Sequence, residues 1–245
     1  MNAILFGATK GMGRAVAREL AERGDRLFLL GRDIGDLARS ASDLDIRRGH
    51  PAVAGTARCD LGDPSTFPGA LAAAKTALGE IDLVVVSAAE FATQPVLEAE
   101  PDRARRLLAA NFTNTIVFCE EARGYLLPRG GTLCVFSSVA GDRGRKPVIL
   151  YGAAKAGLSR YLEGLDHKFR RAGLKVVCVR PGFVKTSMTE GLKPPPFAGT
   201  PEKVAKAVVR AIDRGTPVLY TPPMWRVVMA VIRMLPRSIM RRVDF

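Results

Sequence analysis

Short apolar runs alternate with longer amphipathic segments from residue 3 to residue 221, and few architectures accept such a pattern. Residues 82–87, Asp-Leu-Val-Val-Val-Ser, show no polar alternation, as a strand covered on both faces requires. Comparable runs at 3–6, 26–31, 53–59, 131–137, 175–180 and 217–221 read as further strands. Helical patterns fall between them: from the glycines near residue 11 to 23, then 36–48, 64–78, 101–127, 151–172 and 201–214. Gly24 closes the first helix, and Asp63-Pro64 and Thr200-Pro201 supply a cap followed by a proline in the first turn. This alternation predicts one α/β domain with a doubly wound, seven-stranded parallel sheet and helices on both faces. The domain is expected over residues 1–222, followed by a basic amphipathic extension at 223–245.

The glycines Gly7, Gly11 and Gly13 sit where the first strand hands over to a helix, in Gly7-Ala8-Thr9-Lys10-Gly11-Met12-Gly13. Glycines there let the backbone approach a pyrophosphate, which the helix N-terminus stabilises. The second strand ends at Gly31-Arg32-Asp33, where the adenosine ribose of a dinucleotide belongs. An acid at that end suits a ribose 2′-hydroxyl, whereas Arg32, with Lys10 as a second cation, accepts a 2′-phosphate. NADP(H) is therefore favoured, with NAD(H) as the alternative through Asp33. Tyr151 and Lys155 are spaced to share one helix face, which sets an ammonium beside a phenol and favours its ionised form.

A net charge of +13 calls for an anionic partner: nucleic acid, a phosphorylated substrate or acidic lipid. No basic stretch is interleaved with aromatics, so nucleic acid is not expected. No apolar run reaches the ~18 residues of a spanning helix, and residues 3–6 run straight into the turn at Gly7, leaving no room for a signal peptide. A cytoplasmic protein is expected. Cys59, Cys119, Cys134 and Cys178 lack any C-x-x-C or nearby histidine and read as reduced core thiols, not metal ligands. His50 and His167 read as surface residues, and the Asn111-Phe112-Thr113 sequon as accidental in an intracellular chain.

Over nearly its whole length the chain resembles a classical short-chain dehydrogenase/reductase, a family of Rossmann-like oxidoreductases. The matching marks are the glycine loop, Asp60, Asn111, Ser137-Ser138-Val139-Ala140-Gly141, Tyr151 with Lys155, and Pro181-Gly182 followed by Thr186. The resemblance implies that Ser138 binds a substrate carbonyl oxygen and that Tyr151 exchanges its proton. It further implies that Lys155 holds ribose hydroxyls and lowers the phenol pKa, while Asn111 anchors a water in the proton relay. Cofactor contacts are implied at Gly7, Thr9, Lys10, Gly11, Met12, Gly13, Arg32, Asp60, Leu61, Ser87, Ala88, Pro181, Gly182, Val184 and Thr186, besides Tyr151 and Lys155. Asp60 would meet the adenine and Thr186 the carboxamide. One segment departs from the family: its usual N-A-G is Ser87-Ala88-Ala89-Glu90 here.

Pro222-Pro223 introduces a tail in which Trp225 and aliphatics are bracketed by arginines up to Arg242. It reads either as an interfacial helix on anionic lipid or as a helix packed on the substrate rim or in a dimer interface. Residues 183–199, with Pro194-Pro195-Pro196, are expected to form a mobile substrate lid. Together with Gly141-Asp142-Arg143-Gly144-Arg145 and Asn111-Phe112-Thr113, the tail resembles the branch containing the reductase subunit of decaprenylphosphoryl-ribose 2′-epimerase. That resemblance implies a polyprenyl-phosphoryl 2-keto-pentose substrate, with Arg143, Arg145 and Lys185 as phosphate contacts, peripheral at the inner face of the membrane. A generic keto reductase acting on 3-oxoacyl or steroid-like ketones is the alternative, and a non-catalytic nucleotide-binding protein is a further one. The family also implies a homo-oligomer.

Overall fold

The computed structural model describes residues 1–243. In chain order the elements are β1 (Asn2–Phe6), α1 (Gly11–Arg23), β2 (Arg26–Gly31), α2 (Ile34–Arg48), β3 (Val53–Arg58), α3 (Phe67–Leu78), β4 (Leu83–Val86), α4 (Gln94–Ala99) and α5 (Pro101–Leu108). There follow α6 (Thr115–Leu126), β5 (Thr132–Phe136), α7 (Ile149–Phe169), β6 (Lys175–Pro181), α8 (Pro201–Arg214), β7 (Val218–Thr221), α9 (Met224–Met234) and α10 (Arg237–Met240). The seven strands pair in the order β3-β2-β1-β4-β5-β6-β7, every pair parallel. Winding reverses between β1 and β4, and a crevice opens at the carboxyl ends of strands at such a switch point.

Both faces of the sheet are buried, which explains the unbroken apolar strands. On one face Phe6, Phe67 and Phe118 form a ring cluster with centroids 4.9 to 6.4 Å apart. On the other, Val16 and Leu20 of α1 and Val208 and Ile212 of α8 are buried in one cluster with Leu5 and Leu29. All four cysteines are buried free thiols, and burial pushes the Cys59 thiol up to about 12. Among the described residues no group of His, Cys, Asp and Glu could hold a metal ion. His50 and His167 are exposed. Asn111 is fully buried, so its sequon cannot be an acceptor site.

Three helices differ from the sequence expectation. The helix expected over 101–127 is broken by a π-helical turn at Ala109–Asn114, because Asn111 turns inward to bond a neighbouring loop. The α4 helix was not foreseen; its Gln94 side chain accepts from Leu150 N at 3.1 Å and so holds the start of α7. That helix begins at Ile149, not 151, and ends at Phe169, where a single 3₁₀ turn leads to Gly173.

The tail does pack on the protein. Trp225, Met229 and Ile232 are buried against Val139, with Phe183 and Tyr220 alongside. The Trp225 indole lies over Gly182 so closely that a Cβ there would stand 1.9 Å from Nε1. Its other face is exposed: Met224, Val227, Val231 and Met234, spaced as one helical stripe, are 53%, 61%, 56% and 84% accessible. Among the described residues no helix is long and apolar enough to cross a membrane.

Candidate active site

The phosphate-binding geometry is built by the turn from β1 into α1. At Gly13 an added Cβ would stand 2.2 Å from Gly7 O and 2.3 Å from Ser87 Oγ, so the loop folds back on itself only without a side chain there. Ser87 in turn donates to Phe6 O and Gly7 O, both at 3.2 Å, replacing by a hydroxyl the amide usual at this position. No side chain caps α1, whose first turn carries no acid, so its leading N–H groups face the crevice. This cradle fits a dinucleotide pyrophosphate. The cleft beside it, about 640 Å³, is lined by Gly7, Thr9, Lys10, Arg32, Asp60, Leu61, Ser87 and Ala88, and by Glu90. Asp33 is not among the lining residues, and its Oδ1 accepts from Asp36 N at 2.8 Å as the cap of α2.

Ser138 and Tyr151 meet in an adjoining cavity of about 220 Å³, with Met12, Arg145, Pro181, Gly182, Val184, Thr186 and Trp225. The Ser138 loop crosses α7 in near contact; a Cβ on Gly141 would stand 2.7 Å from Ala156 N. The loop is held by Ser138 Oγ, which accepts from Ala140 N at 3.0 Å, and by Asp142. Asp142 accepts from Arg180 Nη1 at 2.9 Å and from the Tyr220 hydroxyl at 2.8 Å. Burial pushes the Tyr151 phenol up to about 12, offset in part by the nearby Ser138 hydroxyl. Phe91 packs edge-on against its ring at 5.2 Å.

Lys155 lies deep in the fold: it is 2% exposed and its Nζ donates to Phe136 O at 2.9 Å, lying 5.9 Å from the Tyr151 ring centroid. Burial lowers its ammonium to about 8. Ser137 and Ser159 brace the same turn, both donating to Lys155 O at 2.9 Å. Asn111 holds Glu90 with its side-chain amide, accepting from its N–H at 2.8 Å and donating to its C=O at 2.7 Å. Arg143 donates from Nη2 to Leu235 O at 2.8 Å and so closes the end of α9.

Sequence reasoning missed Gln94, Phe91 and the Asp142–Arg180–Tyr220 group. Each acts through a contact tens of residues away in the chain, so no local spacing announces it.

A phosphate-cradling loop at the switch point of a parallel sheet, with a part-buried serine and a buried tyrosine beside it, defines a dinucleotide-dependent oxidoreductase. Residues 1–196 match the short chain dehydrogenase model, and the chain belongs to that NAD(P)-dependent family. It is 32% identical over 240 residues to an uncharacterised oxidoreductase of Mycobacterium tuberculosis, covering 98% of this chain and 95% of that one. It is 28% identical over 218 residues to carbonyl reductase family member 4 of Xenopus tropicalis, covering 85% and 89% of the two chains. A solved short chain dehydrogenase/reductase family protein superposes with a TM-score of 0.78 at 24% identity, covering 89% of this chain and 94% of that one.

Proposed function

We propose that the protein reduces a ketone to a secondary alcohol with NADPH, using Ser138, Tyr151, Lys155 and Asn111. The observation that carries this reading is the Ser138–Tyr151 hydroxyl pair in a cavity that opens beside the pyrophosphate cradle. Bound NADPH supplies the hydride. As charge builds on the carbonyl oxygen, the Ser138 hydroxyl donates to it and Tyr151 delivers the proton. Raised to about 12, the phenol holds that proton at neutral pH and works as an acid. Lys155 holds ribose hydroxyls and restores the proton of Tyr151. Asn111 positions the Glu90 loop by its side chain and can hold a relay water by its carbonyl. Carbonyl reductase activity in the name of the Xenopus relative supports ketone reduction.

NADPH is favoured over NADH because Arg32 and Lys10 line the cleft while Asp33 caps α2 outside it. The remaining cofactor contacts follow the two cavities: Thr9, Asp60, Leu61, Ser87 and Ala88 on the adenosine side, and Met12, Pro181, Gly182, Val184 and Thr186 on the nicotinamide side.

For the substrate we infer a lipid-linked phosphoryl keto-sugar, the polyprenyl-phosphoryl 2-keto-pentose class. Arg145 lines the catalytic cavity, Lys185 lies exposed on the lid at 183–199, and the outer stripe of α9 is flanked by Arg226, Arg233 and Arg237. Those arginines and that stripe suit an anionic membrane surface. The lid ends are zipped together, with Gly199 N donating to Phe183 O at 2.9 Å and Lys185 N to Gly199 O at 3.0 Å, which leaves the middle free to hinge. A 3-oxoacyl or steroid-like ketone is the second reading, favoured by the many apolar groups of the catalytic cavity. Exposed Phe112, Val117 and Ile149 beside the long helices suit a homo-oligomer. The test is NADPH oxidation with a panel of ketones in vesicles and in solution, using Arg145→Gln and Lys185→Gln. The lipid-phosphate reading expects KM to rise for the phosphoryl substrate alone; an unchanged KM sinks it.

A further inference from the structure

Glu90 lines the cofactor cleft and ends the segment in which the chain departs from the family pattern. It follows β4, whereas Arg32 follows β2, and β1 lies between those strands. The two side chains nevertheless meet across the mouth of the cleft, Arg32 Nη1 standing 3.8 Å from Glu90 Oε1. Both line the same cavity.

The surrounding carboxylates are otherwise engaged. Asp33 caps α2, Asp36 pairs with Arg39 and with Lys10 at 3.6 Å, and Asp60 accepts from Gly62 N at 2.9 Å with Arg58 nearby. Asn111 grips the Glu90 main chain through both its N–H and its C=O. The backbone of Glu90 is thus fixed, and its carboxylate is the part able to swing.

We propose that Glu90 is the counterion of Arg32 before cofactor binds and, through that pairing, a determinant of the choice between NADPH and NADH. This rests on the reading above that Arg32 receives the 2′-phosphate. To do so Arg32 must release Glu90, and the phosphate then shares the cleft mouth with a carboxylate. NADH has no phosphate there and meets neither cost. Glu90 therefore restrains NADPH affinity relative to NADH, and it also keeps a lone guanidinium from drawing other phosphates into the cleft.

The test is calorimetric titration of the full chain with NADP+ and NAD+, for wild type, Glu90→Gln, Arg32→Gln and the double variant. Glu90→Gln is expected to tighten NADP+ about threefold, the scale of an exposed ion pair, and to leave NAD+ within about twofold. The gain should vanish in the Arg32→Gln background. An NADP+ affinity that stays the same or falls in Glu90→Gln overturns the inference, as does a gain that persists without Arg32. If wild type binds neither dinucleotide, the cofactor reading itself fails, and this inference falls with it.

Discussion

Replacing Asp142 by alanine is expected to cost about 3–5 kcal/mol of folding stability, the usual penalty for removing one partner of a buried ion pair. The Asp142 side chain is 2% exposed and that of Arg180 13%, so little water can replace the lost contact. Without the carboxylate, the guanidinium keeps only the Tyr220 hydroxyl, 3.0 Å from Nη1, and Arg180 Nε already lacks a partner. Tyr220→Phe spares the ion pair and removes the hydroxyl that donates to Asp142 and accepts from Arg180, at about 1.5–3 kcal/mol. Asp142→Leu with Arg180→Met removes both charges and should come out within about 2 kcal/mol of wild type. Urea unfolding at constant m-value resolves this order. Asp142 lies on the loop that carries Ser138, so Asp142→Ala should also lower kcat at a temperature where the protein is still folded. A cost below about 1 kcal/mol for Asp142→Ala, or a double variant as unstable as the single, would refute the claim that this pair anchors the loop.

Gly13→Ala places a methyl 2.2 Å from Gly7 O, so it should cost about 1–3 kcal/mol and weaken NADP+ binding at least about tenfold; wild-type affinity by calorimetry would contradict the cradle. With Lys155 lowered to about 8, kcat/KM for NADPH, which reports the free enzyme, should be level at lower pH and fall as pH rises through about 8. Tyr151, raised to about 12, keeps its proton throughout, so a rate that climbs through the same range would contradict the assignment. Val227→Asp with Val231→Asp leaves the buried face of α9 intact and should abolish flotation with phosphatidylglycerol vesicles while preserving thermal stability; unchanged flotation would reduce α9 to a packing helix.

The sheet was legible because its central strands are buried on both faces, so β1, β2, β4 and β5 read as apolar runs bounded by turn residues. The caps at Gly24 and Thr200 were equally legible, being local chemistry. The break at Asn111 was not, because the π turn answers to Glu90, a partner 21 residues away. Spacing placed Tyr151 and Lys155 on one face of α7, yet spacing says nothing of depth. Lys155 lies deep enough for its Nζ to donate to the Phe136 carbonyl, a partner 19 residues away. The tail shows the same limit: its composition allowed packing or lipid contact, and the structure buries Trp225, Met229 and Ile232 while leaving an opposite apolar stripe exposed.

The catalytic assignment turns on the phenol of Tyr151. Removing only its hydroxyl, as Tyr151→Phe, should lower kcat for ketone-dependent NADPH oxidation by roughly 10²–10⁴-fold, the range for loss of a positioned general acid. NADP+ affinity measured on the same preparation should stay within about threefold of wild type, since the pyrophosphate cradle is untouched. A variant that oxidises NADPH with ketone at the wild-type rate would contradict the account.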